Sequence, residues 1–68
     1  MKIFAERLKY LRSEAGLTLL QLRKIIKVST NTISRWERLE RLPNIENLVA
    51  LAKYFKVSTD YLCGMVDF

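Results

Sequence analysis

The sequence predicts an all-α fold, a compact bundle of five short helices. Apolar residues recur at three- and four-residue spacing, and no stretch shows the sustained alternation of a strand. A hydroxyl or amide side chain able to cap a helix stands before four of the apolar segments, at Thr18, Ser29, Asn44 and Ser58. Only two glycines and one proline interrupt 68 residues, half of them hydrophobic, so the chain has the means to bury a core rather than stay disordered. This length suits one domain, residues 1–68, with no repeat or linker.

The first helix is expected at about 2–14, where Phe4, Leu8, Leu11 and Ala15 form one stripe and Gly16 provides a left-handed stop. The second, about 19–26, opens on a capping box of Thr18 and Gln21 and buries Leu22, Ile25 and Ile26. The third, about 29–38, starts from the cap Ser29 and turns Ile33 and Trp36 inward; residues 39–43 follow as a loop. The fourth begins after Pro43 and Asn44, with Glu46 suiting its positive end. Ile45, Leu48, Val49, Ala52 and Phe55 should face inward, with Leu51 and Tyr54 widening the apolar face. The fifth is short, capped by Ser58 and ended by Gly64.

Composition narrows the function. With one cysteine and no histidine, neither an internal disulfide nor a metal site is expected, no cofactor is implied, and the commonest general base is missing. No carboxylate stands beside a plausible nucleophile or phosphate loop, so an enzyme is not expected. No apolar run approaches the roughly 20 residues that cross a bilayer, and no secretory signal follows Lys2, so a reducing cytoplasm is the expected compartment. The net charge is +5 and the isoelectric point about 9.7. Most of that charge is concentrated: residues 23–41 hold Arg23, Lys24, Lys27, Arg35, Arg38 and Arg41 against Glu37 and Glu40. Such a run is either a solvated helix face or a footprint for phosphate.

The two middle helices favour the footprint. They are joined by a very short turn, and the second is polar and basic on the side opposite Ile33 and Trp36, the layout of a helix-turn-helix reader of duplex DNA. Its outward residues each have a use in a major groove. Arg35 pairs with guanine O6 and N7, Asn31 with adenine N6 and N7, and Thr30 offers a hydroxyl or a methyl, while Ser34 is the least committed.

Over nearly its whole length the chain resembles the Cro/cI-type helix-turn-helix family, often called the Xre family. The resemblance is carried by the stretches 6–12 (ERLKYLR) and 16–18 (GLT), then by Val28-Ser29, 32–37 (TISRWE) and Pro43. It continues through Asn47-Leu48, 51–55 (LAKYF), 57–62 (VSTDYL) and Gly64. It implies a lambda-repressor-like five-helix domain that binds double-stranded operator DNA to regulate transcription, commonly as a homodimer. By position it places base reading on Thr30, Asn31, Ser34 and Arg35. Ser29 falls at a capping and phosphate-contact position, and Arg38 and Arg41 in a loop that touches the backbone. Arg12 and Glu37 fall where the family often has an ion pair between the first and third helices. Thr18 and the amides at the start of helix two, with Lys27, complete the phosphate set.

The sequence departs from the family pattern at four positions. Leu19 stands in place of a phosphate-bonding Gln, Arg23 in place of a small residue, Lys27 in place of a turn Gly, and Leu39 in place of a Gly after the Trp-Glu pair. A left-handed backbone is expected at Lys27, at a cost of about 1 kcal/mol for a residue other than glycine. Arg23 and Lys27 add charge; Leu19, Leu20 and Leu39 add exposed apolar surface. That surface supports an alternative reading, a protein-interaction module (antitoxin-like or anti-repressor) on the same fold. A palindromic operator would need two reading helices about 34 Å apart. Leu51, Tyr54, Tyr61, Met65, Val66 and Phe68 are the apolar residues available for a dimer, or for a tail folded over its own core.

Overall fold

A computed structural model describes residues 2–67, which form α1 (Lys2–Glu14), α2 (Leu19–Ile26), α3 (Thr30–Glu37), α4 (Ile45–Phe55) and α5 (Thr59–Cys63), with no strand among them. The expected helix starts lie where capping chemistry puts them. Thr18 Oγ1 accepts from the Gln21 amide at 3.1 Å while Gln21 Oε1 accepts from the Thr18 amide at 2.8 Å, a complete capping box. Ser29 accepts from the Thr32 amide, Asn44 from Asn47 and Ser58 from Tyr61, at 2.8–3.0 Å. Ser29 is thus the cap of α3 rather than its first residue, and Arg38 closes the other end.

The helix C-termini share a device. The backbone turns left-handed at Gly16, Leu39, Lys56 and Gly64, and the next amide reaches back five residues: Leu17 to Arg12, Glu40 to Arg35, Val57 to Ala52, and Met65 to Asp60. Each such bond occupies a carbonyl that the helix leaves unpaired. α2 ends differently. Lys27, at φ 65° and ψ 43°, donates its amide to the Arg23 carbonyl at 2.7 Å, and the chain turns at once into the cap of α3. The left-handed backbone expected at Lys27 is present; Leu39 and Lys56 adopt it as well.

Every helix contributes to one core, made of Phe4, Leu8, Leu22, Ile33, Trp36, Leu51, Ala52 and Leu62. Three apolar residues expected inside are not. Ile25 is exposed because Leu22 and Ile26, one turn apart, carry the inward row of an eight-residue helix. Ile45 is 78% exposed, since it opens α4 beyond the end of the core. Ala15 lies past the end of α1 and is exposed. On α4 Leu51 and Ala52 are buried, with Leu48 and Phe55 partly buried against the core beside them, so Leu51 is at the centre of the inward row rather than at its margin. Ala5, outside the expected stripe, is also buried.

Candidate nucleic-acid interface

The reading surface is built from α2, the turn at Lys27 and Val28, and α3. Val28 packs against the core and Ser29 caps α3 at once, so two residues carry the chain from one helix to the next cap. Ile33 and Trp36 anchor the inner side of α3 at 0% and 1% exposure. With that side held, Asn31 and Arg35 are exposed on the other, while Thr30 and Ser34 are half-buried at its edges. The four residues share the helix turns between the Ser29 cap and Glu37, and the two longest side chains among them project freely.

An ion pair holds α3 in place. Arg12 Nε donates to Glu37 Oε2 at 2.7 Å and Nη2 to Oε1 at 3.1 Å, a two-pronged contact, while Nη1 donates to the Leu17 carbonyl at 2.8 Å. The hydrogen bonds to Glu37 raise the Arg12 pKa above its ordinary value, against the opposing effect of burial. Glu37 is therefore neutralised from within. Glu40 is paired too, at 3.3 Å from Arg38 on the surface. Both acidic groups of the basic segment are thus occupied, while among the described residues Arg23, Lys24, Lys27, Arg35 and Arg41 have no carboxylate partner.

The other expected contact residues fall around this helix with differing freedom. Lys27 and Ser29 line an open basic recess of about 400 Å³ with Arg23 and Lys24. The Ser29 hydroxyl is shared with the Thr32 hydroxyl at 2.8 Å, and the Thr18 hydroxyl is engaged in its capping box. Arg41 is exposed in the loop before α4, whereas Arg38 is tied to Glu40. Of the leucines expected on the surface, Leu20 and Leu39 are about half exposed, but Leu19 is half-buried against the core.

The tail residues divide. Leu51 belongs to the core and is closed to a second chain. Tyr61 is half-buried beneath Arg7, whose guanidinium carbon lies 4.2 Å from the ring centroid. Arg7 also donates to the carbonyls of Tyr61 and Val66 and pairs with Asp67 at 3.7 Å. Tyr54 and Met65 are exposed, and Phe68 lies outside the described residues. Arg7 was not among the expected site residues. Nothing in its spacing marks its partners, which lie more than fifty residues away along the chain.

A helix-turn-helix family model, HTH_3, matches residues 8–62. The chain is 41% identical over 61 residues to repressor protein C2 of Salmonella phage P22, covering 90% of this chain and 28% of that protein. It is 41% identical over 59 residues to the HTH-type transcriptional activator BcrR of Enterococcus faecalis, covering 87% and 29%. The chain thus spans less than a third of the length of these two relatives. Among solved structures, the crystal structure of the P22 c2 repressor in complex with synthetic operator 9T superposes with a TM-score of 0.84 at 40% identity, covering 91% of this chain and 94% of that one.

Proposed function

We propose that this chain, which belongs to the Cro/cI-type helix-turn-helix family, is a sequence-specific double-stranded DNA-binding regulator of transcription that enters the major groove with α3. One observation carries the reading: the apolar side of α3 is sealed in the core and its acidic end neutralised by Arg12, which leaves Asn31 and Arg35 as a free, cationic edge. In this reading Arg35 and Asn31 specify bases, with Thr30 and Ser34 beside them. Thr18, Lys27, Ser29, Arg38 and Arg41 meet the sugar-phosphate walls. Two copies bind a palindromic operator in the cytoplasm, with Tyr54, Met65 and Val66 available for the contact between them. The repressor–operator structure of the P22 relative supports the first part of this reading.

Selection of bound sequences from random duplex DNA, followed by a salt titration on the winner, tests it. The expected result is an enriched, two-fold symmetric site whose affinity falls steeply as salt rises. No enrichment, with no binding at low salt, refutes it. A second reading, a protein-interaction module, rests on the half-exposed Leu20, Leu39 and Leu42. It requires the opposite pattern, tight binding to a protein and none to DNA.

A further inference from the structure

Arg7, near the start of α1, gathers its partners from the other end of the chain. Its guanidinium carbon lies 4.2 Å from the centroid of the Tyr61 ring, and Nη1 donates to the carbonyl of Tyr61 and, at 2.6 Å, to that of Val66. Nη2 stands 3.7 Å from the Asp67 carboxylate. The Arg7 side chain is 19% exposed, whereas that of Asp67 is fully exposed. An ion pair with so exposed a carboxylate adds little. Hydrogen bonds from a charged donor, made largely out of water, are the stronger part, so the two carbonyls carry the contact.

The segment that follows α5 is pinned at its start as well. Gly64 turns left-handed at φ 82°, and the Met65 amide donates to the Asp60 carbonyl at 2.9 Å. A Cβ at residue 64 would stand 3.0 Å from Ile3 Cγ2, so glycine lets the chain come this close to α1. Residues 64–67 thus run from a glycine seated on Ile3 to the carbonyl and carboxylate held by Arg7. Met65 lies between these two attachments with its side chain 76% exposed.

We propose that residues 64–67 form a strap closed by Arg7, which holds Met65 outward in one direction and opens as a unit while α3 stays in place. α1 then has two fastenings: Arg7 holds the strap, and Arg12 holds Glu37 of α3. Among the described residues, the hydrogen bonds and the ion pair of the strap reach α1 and α5, and none reaches α3. Nothing polar therefore ties the opening of the strap to the reading helix. The consequence falls on Met65. A free tail loses conformational entropy when a contact orders it, and a tail already held loses far less. Arg7 is a positioning residue in this sense, acting on Met65 through the backbone of the strap. The inference goes beyond the DNA-binding reading and does not depend on it.

The experiment measures nitrogen-15 heteronuclear NOEs and amide exchange over the whole chain. In the native protein the amides of Met65, Val66 and Asp67 should be as rigid as those of α5. They should stay so in high salt, because hydrogen bonds to neutral carbonyls are not screened as an exposed ion pair is. Arg7→Met keeps the length and the apolar stem but removes the donors. It should drop the NOEs of 65–67 to free-tail values and speed exchange of the Met65 amide about tenfold, while the α3 amides and the Trp36 indole keep their shifts. Asp67→Asn should leave the strap closed. A native segment as mobile as a free tail overturns the proposal without any variant, and so does one that loosens in high salt. A strap that stays rigid in Arg7→Met would make side-chain volume, not hydrogen bonding, its holder, and the proposal would fall. It falls equally if the α3 resonances shift or vanish together with those of the strap, since the two are then one unit.

Discussion

Arg12 and Glu37, 25 residues apart in sequence, join α1 to α3 through two parallel hydrogen bonds of 2.7 and 3.1 Å. Their side chains are only 17% and 8% exposed. Removing one member of such a pair leaves the other charge buried and alone, which costs about 3–5 kcal/mol when burial is complete. For a chain of this size, whose total stability is on the order of 3–10 kcal/mol, that is a large share. Glu37→Gln should therefore lower the thermal midpoint sharply, whereas the double change Arg12→Met with Glu37→Leu should cost much less. Equal losses in the two variants, measured by circular dichroism melting, would show that the charges matter only as packing volume. The pair also has a sign with respect to pH. The Arg12 pKa is raised, so its contribution is complete below the ordinary arginine value and is lost only as pH climbs through the still higher folded value. Alkaline titration to the limit of normal buffers should leave the contribution of Arg12 intact.

Lys27 and Leu39 hold left-handed backbone, at φ 65° and 66°. Glycine adopts this conformation without the clash that a Cβ causes. Lys27→Gly and Leu39→Gly should each stabilise the fold by up to about 1 kcal/mol, raising the midpoint by roughly 4–8 °C. Lys27→Gly should at the same time weaken duplex binding, because it deletes a cation beside the α3 cap. A melting curve that drops for both variants would mean that their side chains contribute more than the backbone strain removes.

Arg35 and Arg41 should fail in different ways. Arg35→Ala should cost about 1–3 kcal/mol of discrimination at one base pair, and Arg41→Ala should weaken binding to all sequences alike and reduce the salt slope by about one. Competition binding against a panel of single-base variants of the selected site separates the two. An unchanged preference in Arg35→Ala would remove it as a base reader.

Leu51 and Met65 make a contrasting pair, one wholly buried and the other 76% exposed. Leu51→Ala should cost about 2–5 kcal/mol by opening a cavity. Met65→Ser should leave stability nearly unchanged and act, if the tail mediates self-association, on the monomer–dimer equilibrium read by sedimentation. A Met65→Ser variant that melts well below the parent would place Met65 inside the fold instead.

Thr18, Ser29, Asn44 and Ser58 could be read as caps from the chain alone because each satisfies an amide only three residues away. The same locality made Ile33 and Trp36 visible as one side of a short helix and Asn31 and Arg35 as the other, although Thr30 and Ser34, expected outward with them, are half-buried; the left-handed turn expected at Lys27 is present. Other features needed partners from distant segments. The burial of Leu51 and the exposure of Ile25 and Ile45 follow from where neighbouring helices end, since an apolar row is buried only if another helix covers it. Arg7 reaches the carbonyls of Tyr61 and Val66 across more than fifty residues, a contact no periodicity encodes. The Trp36 indole N–H, buried without an acceptor among the described residues, is of the same kind: its surroundings are set only when α3, the loop and α4 are assembled around it. Local hydrogen bonds are written along the chain, while burial and charge pairing belong to the packed whole.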